Sequence, residues 1–105
     1  MVFRPFRGRI WHWRGPAPHH FVTCPAQVSD DLEAGVFGAS YGWGAIPVAV
    51  RIGEVGWETS VFPKDGRYVV PIKADVRRRL GVDVGDEVAI VLGPAGRGAG
   101  PRIDA

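Results

Sequence analysis

The sequence predicts a mainly β fold: a small closed or nearly closed barrel of six to seven strands with two short helices. Apolar and polar residues alternate over several short segments, glycine or proline separates these segments, and helical signals occur at two places only. A chain of 105 residues can form one hydrophobic core but not two. We therefore expect a single barrel domain over residues 1–92 and a mobile Gly/Pro/Arg tail over residues 93–105.

Two strands are predicted before the first helix. Residues 3–14 are the first predicted strand, because from Gly8 onward Ile10 alternates with Trp11 and Trp13, which places the aromatic side chains on one face. The Pro- and Gly-rich stretch 15–18 interrupts this pattern. Residues 20–24 are β-branched or aromatic for the most part, and Pro25 follows them. These segments are the expected first and second strands.

The first helix is expected after the second strand. Ser29 and Asp30 are candidate N-cap residues, and Glu33 lies at capping-box spacing from Asp30. Gly35 then ends the helix. Residues 35–44 contain four glycines, which favours a shaped loop or a bulged strand over a regular helix.

The centre of the chain predicts three strands. Residues 45–52 form the clearest period-two run, and residues 55–62 repeat the pattern after a tight connection, so the two should pair as an antiparallel hairpin. Pro63 is expected to end the fourth strand. Asp65-Gly66 suits a turn with left-handed backbone angles, leading into a fifth strand at residues 68–70.

The second helix is expected to begin at Pro71, because proline is tolerated in the first helical turn. Apolar residues then recur every fourth position, at Ile72, Val76 and Leu80. Gly81 is the expected end of the helix, and residues 88–92 are the last strand.

Charge and cysteine content narrow the class of protein. Thirteen Lys and Arg against eleven Asp and Glu give a net charge of +2, too weak to indicate a polyanion partner by itself. Cys24 is the single cysteine, so no intrachain disulfide forms and a reducing cytoplasm is favoured. No apolar run approaches the roughly 18 residues of a membrane helix. We expect a cytoplasmic protein that does not enter a membrane.

Motifs in two segments resemble a known family. Residues 57–63 read Trp-x-Thr-Ser-x-Phe-Pro and residues 71–77 read Pro-x-Lys-x-x-x-Arg. With Phe-Val-Thr-Cys-Pro at 21–25, they make residues 3–92 similar to the bacterial domain-of-unknown-function family 1905. The resemblance implies a small closed β-barrel with no established activity. Its motif positions include Trp57, Ser60, Lys73 and Arg77.

Six residues are the predicted ligand-binding site. They are Trp43, Trp57, Ser60, Tyr68, Lys73 and Arg77. Lys73 and Arg77 lie four apart, so on one helix face they would clamp a carboxylate or phosphate beside the Trp57 ring. In the alternative interpretation, their stems cover apolar surface and their charges pair with Asp75 or Asp86.

We predict no metal site and no cofactor. Adjacent residues of a strand point to opposite faces, so His19 and His20 cannot both bind one ion from a regular ladder. An enzyme that uses these histidines or Cys24 is an alternative hypothesis. The sequence contains no recognisable set of catalytic residues, so no catalytic residue is assigned.

The leading hypothesis is a binding module for a small anionic ligand or a protein partner. A nucleic-acid-binding regulator is a less favoured alternative, based on the Arg77–Arg79 run. The segment around this run is also similar to swapped-hairpin transcription factors of antitoxin type, over about twenty-five residues. The sequence does not predict the oligomeric state.

Overall fold

A computed structural model describes residues 3–16 and 19–96 of the chain. Within these residues there are six strands and two helices. In chain order they are β1 (Arg4–Trp13), β2 (His19–Thr23), α1 (Ala26–Glu33), β3 (Ile46–Ile52), β4 (Val55–Lys64), β5 (Arg67–Pro71), α2 (Ala74–Leu80) and β6 (Glu87–Pro94). The strands form a closed antiparallel barrel in the order β1-β2-β5-β4-β3-β6. The predicted fold class is confirmed.

Strand β1 closes the barrel by pairing with a different neighbour along each half of its length. Arg4–Arg9 pair with β6, and Ile10–Trp13 pair with β2. Gly8 lies close to the point of exchange, and a Cβ atom there would lie 2.6 Å from Cγ1 of Val22, a fully buried core residue. Glycine at this position therefore allows β1 and β2 to approach each other closely.

Mostly aliphatic side chains fill the barrel interior. The inward positions of β3 are Ile46, Val48, Val50 and Ile52, as their period-two spacing predicts. Residues of the other strands meet them in one core: Ile10, Val22, Val61, Val70, Ile90 and Leu92 are at most 1% exposed. Neither helix in the described residues is long and apolar enough to cross a membrane.

The predicted start of the first helix is wrong. Helix α1 begins at Ala26, directly after Pro25, so Ser29 and Asp30 lie inside the helix and do not cap it. The extended backbone of Pro25 carries the chain from β2 straight into the first turn. Ser29 is 4% exposed, and its hydroxyl accepts a hydrogen bond from the Tyr68 N–H at 3.0 Å. Its role is thus to join α1 to β5.

The hairpin between β4 and β5 is longer than predicted. Asp65 and Gly66 have φ values of 53° and 81°, the left-handed conformation that a two-residue hairpin turn requires. Pro63 does not end β4 but pairs with Tyr68, one step from the Lys64–Arg67 pair that closes the turn. In an antiparallel ladder, pairs that exchange backbone hydrogen bonds alternate with pairs that do not. Lys64–Arg67 is of the first kind and Pro63–Tyr68 is of the second. The Pro63 nitrogen therefore points away from β5, and its missing N–H removes no hydrogen bond between the two strands.

The second helix also begins later than predicted. Pro71 is the last residue of β5 and pairs with Phe21, and the Ile72 N–H donates to the His20 carbonyl. Pairing with β2 thus keeps the chain extended as far as Lys73, the N-cap residue of α2. Gly81 ends the helix with φ 68°, as predicted.

The last strand reaches beyond the expected end of the barrel domain. Gly93 and Pro94 belong to β6 and pair with Ala49 and Val48 of β3. The first two residues assigned to the tail are therefore part of the barrel. Residues 97–105 of the predicted tail lie outside the described residues.

Candidate anion site at one end of the barrel

Two histidines continue the inward face of the barrel beyond its aliphatic core. Ile10 pairs with Val22, and two residues further along β1 His12 pairs with His20. Side chains two apart on a strand share a face, so the histidines occupy the same side of the sheet as these core residues. Their rings stack with centroids 4.6 Å apart and an interplanar angle of 22°. The barrel core thus ends in a pair of polar rings.

Helix α2 brings Arg77 to this end of the barrel. Val76 is fully buried in the core, and the neighbouring Arg77 side chain is only 17% exposed. Arg77 Nη1 donates to the Ile72 carbonyl at 2.6 Å, and its Nε lies 3.7 Å from Asp83 Oδ1. The guanidinium is therefore held against the segment that precedes α2 instead of extending into solvent.

A cavity of about 390 Å³ lies between the histidines and α2. Its lining consists of His12, His19, His20, Ile72, Lys73, Ala74 and Arg77. Lys73 is exposed. The volume falls in the range typical of small-molecule sites, about 300–1,000 Å³. A second cleft, of about 380 Å³, shares Ala74 and Arg77 and is also lined by Arg78, Asp83 and Asp86.

The electrostatics of the site centre on His20. Burial lowers the pKa of His20, and the charge of Arg77 and the neighbouring His12 lower it further, while Asp83 opposes them. His20 is therefore neutral at pH 7 and carries one ring N–H. The Asp83 carboxylate faces the group, with Oδ1 3.8 Å from His20 Nε2. Lys73 and Arg77 supply the positive charge.

The predicted pairing of Lys73 and Arg77 on one helix face is wrong, because Lys73 precedes the first turn of α2. Both residues nevertheless line the cavity. Arg77 pairs with Asp83, and neither Asp75 nor Asp86 takes the role that the alternative interpretation gave them. Asp75 instead accepts a hydrogen bond from the Val76 N–H at the start of α2.

The other four predicted site residues lie elsewhere. Trp57 is 5% exposed in the core, and its Nε1 has no hydrogen-bond partner among the described residues. The Ser60 hydroxyl bonds to the Tyr41 hydroxyl at 3.0 Å. Tyr68 lies beside α1, where burial and the charge of Glu33 raise its pKa. Trp43 is 95% exposed on the glycine-rich loop. None of these four lines the cavity.

Sequence reasoning missed His12, His20 and Asp83 as parts of one site. The sequence did carry a signal for the histidines. His12 lies two residues from Ile10 and His20 lies two residues from Val22, so each histidine shares a strand face with an apolar residue. Recognising the site also requires the register that places the two histidines opposite each other. Asp83 follows Gly81, where the left-handed end of α2 turns the chain back towards Arg77.

Metal and thiol chemistry gain no support from the geometry. Within residues 3–16 and 19–96, no three His, Cys, Asp or Glu side chains are grouped to hold a metal ion. His19 stacks on Phe21 with ring centroids 5.6 Å apart. Burial raises the pKa of Cys24 to about 12, so its thiol stays protonated at neutral pH and is a poor nucleophile.

Comparison with known proteins agrees with the motifs in the sequence. The model of a family described as Domain of unknown function (DUF1905) matches residues 6–92. No curated protein matches the chain. The matched region contains the cavity-lining residues and runs from β1 into β6. The chain therefore belongs to the domain-of-unknown-function family DUF1905.

Proposed function

We propose that this protein is a binding module for a small anionic ligand, which it holds between His20, Lys73 and Arg77. The observation that carries the proposal is the cavity in which these three side chains meet at the end of the barrel. Arginine, lysine and histidine are the side chains that donate charged or directional hydrogen bonds to carboxylates and phosphates.

The position of Arg77 supports this proposal. Its bond to the Ile72 carbonyl fixes the guanidinium before any ligand arrives. A fixed donor loses little conformational freedom on binding, so more of the interaction energy appears as affinity. The Nε of Arg77 faces Asp83, an exposed carboxylate, which indicates that an anion is tolerated there.

The alternatives are less well supported. Arg77 is largely buried, so it adds little to a basic face that could follow a nucleic-acid backbone. A cavity of about 390 Å³ supports a small ligand over a protein partner. The lone, buried Cys24 supports a reducing cytoplasm as the location of this binding.

The test uses the two lysines of the chain as a matched pair. Inorganic phosphate is titrated into ¹⁵N-labelled protein, and amide chemical shifts are followed in wild type, Lys73→Gln and Lys64→Gln. Lys64 is the control, because its Nζ lies over the Trp13 ring, 5.1 Å from the centroid, and it does not line the cavity. We expect saturable shifts at His20 and Arg77, weakened about fivefold by Lys73→Gln and unchanged by Lys64→Gln.

Two results would contradict the proposal. The first is wild-type protein without saturable shifts near the cavity. The second is an equal loss of affinity in the two lysine variants, which would show that phosphate responds to net charge and not to this site.

A further inference from the structure

We infer that the ligand is a phosphate-type dianion and that it displaces the Asp83 carboxylate from its place between His20 and Arg77. This inference rests on the proposed function and adds two things to it: the chemical class of the ligand and an internal competitor. The observation that leads to it is the position of Asp83, which approaches both groups and forms a close hydrogen bond with neither.

Asp83 is loosely held at this position. Its Oδ1 lies 3.8 Å from His20 Nε2 and 3.7 Å from Arg77 Nε, beyond the usual 2.7–3.2 Å of an N–H···O hydrogen bond. The side chain is 77% exposed. Its Oδ1 accepts a hydrogen bond from the Val84 N–H at 2.8 Å, and Val84 is exposed, so water can replace that bond. The carboxylate can therefore leave at little cost.

The loop is also held by hydrogen bonds that do not involve the Asp83 side chain. The Asp83 N–H donates to Asp86 Oδ2 at 2.8 Å, and the Asp86 N–H donates to the Asp83 carbonyl at 3.0 Å. The Gly85 N–H also donates to the Ile10 carbonyl, which anchors the loop to β1. These bonds stay in place when the Asp83 carboxylate rotates out.

Charge decides which anions can displace Asp83. Lys73 and Arg77 bring two positive charges to the cavity, His12, His19 and His20 line it, and Asp83 brings one negative charge from the loop. Arg78 and Asp86 lie in the adjoining cleft. A monocarboxylate would only replace the negative charge of Asp83 by its own. It would also have to compete with the Asp83 carboxylate, which is tethered to the protein and has an effective concentration on the order of millimolar. A dianion gains an additional attraction that the tethered group lacks.

The number of donors points to the same class. His20 belongs to β2, Arg77 belongs to α2, and Lys73 lies in the segment between β5 and α2. Three donors from three elements are matched by the several peripheral oxygens of a phosphate group, whereas a carboxylate has two oxygens. A phosphodiester carries one charge per phosphate, so the comparison of charge also disfavours a nucleic-acid backbone.

The experiment compares two anions and two charge-matched variants. Phosphate and acetate are titrated at equal ionic strength at about pH 8, where His20 is neutral and phosphate is mostly a dianion. The proteins are wild type, Asp83→Asn and Asp86→Asn. Both variants remove one negative charge, but only Asp83→Asn removes the competitor. Asp86→Asn keeps a side-chain oxygen that can accept the Asp83 N–H.

We expect wild type to bind phosphate more tightly than acetate. Asp83→Asn should raise phosphate affinity about two- to fivefold over Asp86→Asn, the value of one exposed ion pair. Equal binding of acetate and phosphate would overturn the ligand class. Equal phosphate affinity in the two variants would overturn the displacement of Asp83, with the proposed function intact. If neither anion shifts the amides of the cavity in any protein, the proposed function fails as well.

Discussion

Replacing Ser29 with alanine tests the join between α1 and the barrel. Tyr68 pairs with Pro63 of β4, but its backbone N–H points away from that strand and towards the side on which β2 lies. The last residue pair between β2 and β5 is Thr23–Val69, so β2 offers no partner for this N–H. The Tyr68 carbonyl accepts from the Cys24 N–H, and its N–H is left to the Ser29 hydroxyl. Ser29→Ala removes this acceptor at a site that is 4% exposed.

The expected loss follows from these contacts. An unsatisfied buried N–H costs about 1–3 kcal/mol. Alanine is the better helix former by a few tenths of a kcal/mol, which offsets part of that loss inside α1. The free energy of unfolding should therefore fall by about 1–2 kcal/mol, and Tm by about 4–16 °C for a chain of this size.

Urea denaturation followed by tryptophan fluorescence measures this change, with an unchanged m value showing that the unfolding transition is the same. Asp30→Ala is the control, because Asp30 is exposed in the next position of the helix and should alter stability by less than about 0.5 kcal/mol. Amide exchange adds a local readout, since the Tyr68 N–H should lose protection in Ser29→Ala. A stability change below that of the control, with Tyr68 still protected, would refute this reasoning.

Two further predictions concern the barrel wall and its polar end. Gly8→Ala should destabilise the protein by about 1–3 kcal/mol, because the new Cβ would lie 2.6 Å from the buried Val22 side chain; a urea midpoint equal to that of wild type would contradict this. The folded-state pKa of His20 lies below its ordinary value of 6.5. As the pH falls below 6.5, the unfolded state therefore binds more protons than the folded state. The stability that His20 contributes is present above pH 6.5 and is lost as the pH falls through the folded-state pKa. Urea midpoints measured downward from about pH 8 should show this loss, and His20→Gln should reduce the slope; an unchanged slope would exclude His20 as its source.

Local patterns predicted the barrel well because most of its strands carry a signal of their own, either a period-two alternation or a run of β-branched and aromatic residues. The run at β3 placed Val48 and Val50 in the core without any knowledge of their neighbours. The predicted starts of both helices were wrong, and for α2 the reason is non-local. Pro71 has a local preference for a first helical turn, but its pairing with Phe21 of β2 holds it in the sheet.

The candidate site was likewise predicted only in the part that depends on local sequence. Lys73 and Arg77 were identified from a motif, whereas the histidines opposite them depend on the register of two strands. Trp57 was assigned to the site as a motif position whose ring would lie beside Lys73 and Arg77. Its position two residues after Val55 places it on the inward face of β4 instead.

The pairing of β1 with β6 has a consequence for how the chain folds. Strand β6 follows every other strand in sequence, yet it is the strand that joins β1 to β3. During synthesis, β1 and β3 therefore keep unpaired edges until β6 has left the ribosome, and such edges can pair with other chains. Pairs of residues as distant in sequence as Arg4 and Leu92 also slow folding, and barrels with such pairs fold in about milliseconds to seconds. The nascent protein is thus exposed to misassembly until β6 has emerged and paired with both strands.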